Sequence, residues 1–164
     1  DVVPVNHNFS VKKLIEVDKN IILIHIGSVI KHKKLSKDLE KNIIRLPFIE
    51  RSEIPNIYKL IDILLFPSIY EGFGFPLVEM MSRGLPVIAS NRGSLPELLS
   101  DAGLTFNPFD KDELTVKIKQ MLENTKLREK FALNSLNRMD DFFDWDEYAM
   151  KLEPLYQKIL SGHF

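Results

Sequence analysis

The feature that most limits what this chain can fold into is an alternation. Short runs of branched apolar residues take turns with longer helical stretches up to about Glu123. The runs are Ile21–Ile26, Ile43–Leu46, Ile63–Phe66 and Val87–Ala89, with Leu104–Phe106 and Val2–Val5 as weaker members. Runs this short, apolar at consecutive positions, suit strands covered on both faces of a parallel sheet.

The stretches between them carry helix punctuation. Ser52 stands where it would cap a helix running through Ile57, Tyr58 and Leu60. Pro76 suits the first position of a helix that Gly84 and Pro86 would end. Ser94 with Glu97, Asp110 with Glu113, and Asp144 with Glu147 have capping-box spacing. After Glu123 only helical patterns remain, Leu127–Met139 and Asp144–Leu160. The expectation is one α/β domain over residues 1–164, a Rossmann-like, doubly wound parallel sheet with a helical C-terminal tail.

Composition excludes several functions. The chain has no cysteine, so disulfides, thiolate metal sites and cysteine nucleophiles are ruled out. Its four histidines (His7, His25, His32 and His163) show no i,i+4 pair of the kind that binds zinc. The expectation is therefore no metal. A net charge of -1 provides no general attraction for nucleic acid. The start, Asp1 to His7, lacks the basic and apolar regions of a secretory signal. The longest apolar runs fall far short of the ~20 residues of a membrane span. A cytoplasmic domain cut from something longer is expected. One local cluster is basic, with Lys31, Lys33, Lys34, Lys37, Lys41 and Arg45 against Asp38 and Glu40. It reads as a solvated face or as an attractor for a diphosphate or an anionic membrane surface.

Open α/β sheets bind ligands at the carboxyl ends of their strands. The run Ile63–Phe66 leads into Pro67-Ser-Ile-Tyr-Glu71-Gly72-Phe73-Gly74-Phe75-Pro76 and then a helix. Two glycines within three residues allow close approach to the backbone and positive φ. Amides at the start of the helix, from about Leu77 and Val78, are expected to be free for an anion such as a phosphate. Glu79 falls in the first turn, where its carboxylate can accept two hydrogen bonds at once, as vicinal ribose hydroxyls require. Glu71 lies in the loop where a sugar joined to those phosphates would sit. The competing reading is a glycine turn and an ordinary helix whose acidic residues only favour its dipole.

The run Glu71-Gly-Phe-Gly-Phe-Pro-Leu-Val-Glu79-Met-Met-Ser-Arg-Gly84-Leu-Pro86-Val-Ile-Ala resembles the signature of retaining, GT-B-fold glycosyltransferases of group 1 (family 4). Two glutamates spaced by seven residues enclose Gly-Phe-Gly, and Gly-x-Pro-Val-Ile follows. The likeness continues through Gly93-Ser-Leu-Pro-Glu97, Asp101-Ala-Gly103, Pro108 and Phe143-Asp-Trp145. It reaches back to Tyr58-x-x-x-Asp62 and Leu46-Pro-Phe48.

The resemblance implies a donor-binding, C-terminal half of a two-domain enzyme using a UDP-, GDP- or ADP-sugar. It implies that Glu79 bonds the ribose and that Glu71 meets the sugar near its reacting carbon. The loop Gly72-Phe73-Gly74-Phe75, with the helix start at Leu77 and Val78, would hold the diphosphate and sugar. Phe48, Ile49, Glu50 and Arg51 would flank the base. No cofactor or metal is implied. The acceptor, a glycan or lipid-linked molecule, would come through the N-terminal half, and the whole enzyme could lie peripherally on a membrane. Asn6-His7-Asn8-Phe9 departs from the pattern, because the family carries an Arg and a Lys there to neutralise the diphosphate; here Lys12 and Lys13 only follow.

Alternatives in the same fold are a sugar-nucleotide epimerase or a nucleotide-binding fragment with no activity of its own. A receiver module would need acidic early strand ends, and a dinucleotide-binding dehydrogenase an early Gly-x-Gly-x-x-Gly; both are absent. Trp145, with Phe142 and Phe143, reads as an anchor for the last helix. His25 reads as a core histidine.

Overall fold

The computed structural model describes residues 20–26, 37–140 and 145–162. The candidate strand Val2–Val5, the Asn6–Phe9 stretch, Lys12, Lys13, the basic residues Lys31 to Lys34 and the Asp144 cap lie outside them. So do Phe142, Phe143 and the Trp145 side chain.

The described elements alternate as the apolar runs suggest. They are β1 (Leu23–Ile26), α1 (Lys37–Glu40), β2 (Ile43–Leu46), α2 (Ile54–Tyr58), β3 (Leu64–Phe66) and α3 (Phe75–Met81). Then come β4 (Val87–Ser90), α4 (Leu95–Leu99), β5 (Gly103–Phe106), α5 (Lys111–Glu123), α6 (Thr125–Asp140) and α7 (Trp145–Leu160). Every strand pairing among the described residues is parallel. Two hydrogen-bonded groups form, β1-β2 and β3-β4-β5, and no described strand joins them.

The core is built around β4, the only described strand whose four residues are all buried. Alternation sends Val87 and Ala89 toward Leu77, Val78 and Met81 of α3 and Leu95, Leu98 and Leu99 of α4. Ile88 packs on the other side with Phe106, Leu114, Met121 and Phe131. Helices thus cover both faces of this part of the sheet. Each fully buried Leu, Ile or Met contributes about 1.5–3 kcal/mol through loss of water contact. His25 is only partly buried and so is not a core histidine.

Several caps differ from expectation. α2 starts at Ile54 with Glu53 at its cap and no side-chain cap bond, so Ser52 stands too early. Pro55, which lacks an N–H, occupies the first turn instead. Phe75 rather than Pro76 opens α3, with Pro76 second. Asp110 does cap α5, accepting from the amides of Asp112 and Glu113 at 3.0 and 2.9 Å. Glu113 does not close the reciprocal half of the box, because its carboxylate accepts the Asn107 amide at 2.8 Å.

α6 is tied back to the sheet layer by Arg138. Its Nε donates to the Leu98 carbonyl at 2.7 Å and its Nη2 to that of Glu97 at 2.6 Å. Both are orphan acceptors at the end of α4, which a cation suits. α7 leaves Tyr148, Met150, Leu155, Tyr156, Ile159 and Leu160 exposed.

Candidate functional site

The loop from β3 to α3 turns on Gly74, whose φ of +104° no side-chain-bearing residue adopts without strain. A Cβ at this position would also lie 3.0 Å from Leu95 and 3.6 Å from the Glu71 side chain. Gly74 therefore lets the loop rest directly on α4. This conformation aims the Gly74 carbonyl into the helix, where it accepts the amides of Leu77 at 3.0 Å and Val78 at 3.3 Å. The expectation that these two amides are free is corrected. Their side chains, 0% and 5% exposed, belong to the core. Among the described residues the loop amides of Glu71, Gly72, Phe73, Gly74 and Phe75 have no acceptor, those of Gly74 and Phe75 lying at the start of the helix.

A second segment holds the loop from the far side. Gly93, at φ +59°, sits so close that an added Cβ would lie 2.7 Å from the Glu71 carbonyl oxygen. Ser94 Oγ donates to the Phe73 carbonyl at 2.8 Å and to that of Glu71 at 3.3 Å. Ser94 was expected to cap its own helix, but it caps no amide of α4. Its hydroxyl is spent on fixing the neighbouring loop.

Glu71 and Glu79 are both half-buried. Glu79 accepts a hydrogen bond from the Tyr58 hydroxyl at 2.8 Å on Oε2. Burial, followed by that bond, pushes the Tyr58 phenol up to about 12. Arg83 lies over the Tyr58 ring, 5.0 Å from its centroid, and donates to the Glu79 carbonyl at 2.6 Å. Phe73 and Phe75 stack at a tilt with centroids 4.9 Å apart, Phe73 half-buried and Phe75 exposed.

Phe48, Ile49, Glu50 and Arg51 follow the carboxyl end of β2, a separate strand group from the one that ends in the glycine loop. The Phe48 ring is exposed there. Ser68 Oγ donates to the Tyr70 carbonyl as an ordinary turn residue. The Ser90 hydroxyl, fully buried at the end of β4, has no hydrogen-bond partner among the described residues. Of the basic cluster, Arg45 is engaged by Glu40 in an exposed ion pair at 2.5 Å. Among the described residues no group of three or more His, Asp or Glu could hold a metal ion.

Sequence reasoning did not foresee the Tyr58–Glu79 bond, the Ser94 clamp or the Arg138 tether. The partners are 21 to 41 residues apart, and no local pattern encodes such pairs. Tyr58 and Ser94 stood out beforehand as a helix residue and a cap, and in the motif-level likeness, but without these partners.

A parallel sheet covered by helices on both faces, with a glycine loop at a strand's carboxyl end, defines a Rossmann-like α/β domain, a class that binds ligands at that end of the sheet. The chain belongs to the family of glycosyl transferases group 1, whose model matches residues 9–138. It is 38% identical over 101 residues to the O-antigen chain mannosyltransferase B of Escherichia coli, covering 62% of this chain and 26% of that one. It is 32% identical over 103 residues to the MMP alpha-(1->4)-mannosyltransferase of Mycolicibacterium hassiacum, covering 61% and 25%. Among solved structures, HepE of Anabaena in complex with UDP superposes with a TM-score of 0.71 at 22% identity, covering 98% of this chain and 46% of that one. That likeness shows a fold shared over the matched part with GT-B glycosyltransferases. The chain spans about a quarter of the two mannosyltransferases and under half of HepE.

Proposed function

We propose that this domain binds a nucleoside diphosphate sugar and supports its transfer, with retention at the anomeric carbon, to a glycan or lipid-linked acceptor. The observation that carries the reading is the loop at Gly74. It leaves the amides of Gly74 and Phe75 unpaired next to Glu71, and Glu79 follows on the same short helix. Unpaired amides are donors for a diphosphate, and they stabilise the charge that develops as the diphosphate departs. Glu79 supplies the ribose acceptor, and Glu71 meets the sugar. Phe48, Ile49, Glu50 and Arg51 offer the base a surface. No divalent metal or other cofactor enters the reading. HepE, of the same fold, has been solved with UDP, which supports a nucleotide as the ligand class.

The test is a thermal-shift panel with UDP, GDP, ADP and CDP. A ligand at 100 times its dissociation constant stabilises the fold by about 2.7 kcal/mol. For a domain of this size that raises the melting temperature by roughly 5–10 °C. No shift with any of the four, in a folded sample, rejects the reading.

A further inference from the structure

We propose that Tyr58 is a positioning residue for Glu79 and thereby sets the preference of the site for a ribose over a 2′-deoxyribose. The inference rests on the reading of Glu79 as the ribose acceptor.

Tyr58 is 8% exposed and is the last residue of α2, and its hydroxyl crosses to Glu79 of α3. That bond uses one oxygen of the carboxylate. Oε1 has no partner among the described residues, so it and the second lone pair of Oε2 remain as acceptors. The tyrosine is itself held. The Arg83 guanidinium covers its ring, and the same guanidinium is anchored on the Glu79 carbonyl. Tyr58, Glu79 and Arg83 form a closed triangle spanning α2, α3 and the turn after α3, and its one half-exposed acceptor edge is the carboxylate.

A free glutamate side chain samples many rotamers. Fixing one on binding lowers affinity by roughly threefold to tenfold, a loss that a pre-formed restraint removes. A phenol whose ionisation is pushed to about 12 stays a donor throughout the neutral range, so the restraint does not switch off there. A tyrosine that only pinned α2 to α3 would affect stability and treat both sugars alike.

The experiment is calorimetric titration of the 164-residue chain and of Tyr58→Phe and Glu79→Ala with UDP and 2′-deoxy-UDP. The GDP pair replaces them where the thermal-shift panel selects guanine. Wild type prefers the ribonucleotide. Tyr58→Phe narrows that preference by about threefold to tenfold while its affinity for the deoxynucleotide stays within about twofold. Glu79→Ala removes the preference.

Four results overturn the inference. Tyr58→Phe with an unchanged preference, while Glu79→Ala loses it, leaves the ribose reading standing and reduces Tyr58 to a helix pin. Equal weakening of both nucleotides does the same. A preference that survives Glu79→Ala, or no binding of either nucleotide, refutes the ribose reading itself and the inference with it.

Should Tyr58→Phe fail to fold, fluorotyrosine-labelled wild type replaces it. Tyr58 is the one buried member of the four tyrosines, which identifies its fluorine resonance. That resonance moves more with UDP than with 2′-deoxy-UDP; equal movement, or none, overturns the inference.

Discussion

Glu79 accepts the Tyr58 hydroxyl and, in the proposed function, also holds the donor's ribose. Removing it has two consequences. Glu79→Ala deletes charge-assisted hydrogen bonds to the sugar and weakens nucleotide binding by roughly ten- to a hundred-fold in calorimetric titration. It also strands the Tyr58 hydroxyl, which is part-buried and donates to no other acceptor. That costs about 1 kcal/mol, a fall of roughly 2–4 °C in melting temperature. From sequence alone, a carboxylate at a helix start is worth little to stability, and the 21-residue contact with Tyr58 is what changes the estimate.

Tyr58 gives a separate readout. Its phenol is raised from 10.0 to about 12, so the unfolded chain loses this proton first as the pH climbs. The stabilisation is complete below pH 10 and is lost between about 10 and 12. Phenolate absorbance should show a late component near 12 that Tyr58→Phe abolishes. Its persistence in the variant would assign the component to another tyrosine.

At the scale of elements, the loop before α3 is shaped by what packs behind it. Gly93 approaches the Glu71 carbonyl closely enough that a methyl group would lie at 2.7 Å, and its φ of +59° already disfavours any side chain. Gly93→Ala should destabilise the fold by roughly 1–3 kcal/mol and push Glu71 away from the Ser94 hydroxyl. The expected signature is weaker nucleotide binding together with a lowered melting temperature. A variant with native affinity and stability would mean the loop has slack. The Gly72-Phe73-Gly74 run was legible as a turn because glycine spacing is a local property. The clamp behind it was not. Ser94 and Glu97 have the spacing of a capping box, but the Ser94 hydroxyl reaches carbonyls 21 and 23 residues away, and spacing cannot report that competition. The start of α5 was legible to the residue because Asp110 bonds only its own first turn. Ser52 misled because Pro55 moved the start of α2 past it.

At the scale of the whole molecule, strand identity was readable because consecutive branched residues announce burial, and the strand ends shifted by only a residue or two. Connectivity within the sheet was not readable, since pairing joins residues about 20 apart through contacts that composition does not encode. The result is an uneven sheet. β4 lies between β3 and β5, and all of its side chains are buried. β1 and β2 pair with each other, and half of β2 is exposed. Amides open with the local unit that contains them, and units with few buried contacts open first. Native-state hydrogen exchange should therefore find the amides of β4 among the slowest, exchanging only with global unfolding. Those of β1 and β2 should exchange at least about tenfold faster, a gap of ~1.4 kcal/mol in opening free energy. Saturating nucleotide should slow the α3 amides by raising the cost of opening the glycine loop, with little effect on β1 and β2 unless the base also contacts the segment from Phe48 to Arg51. Equal exchange in both strand groups would show that they open as one cooperative unit.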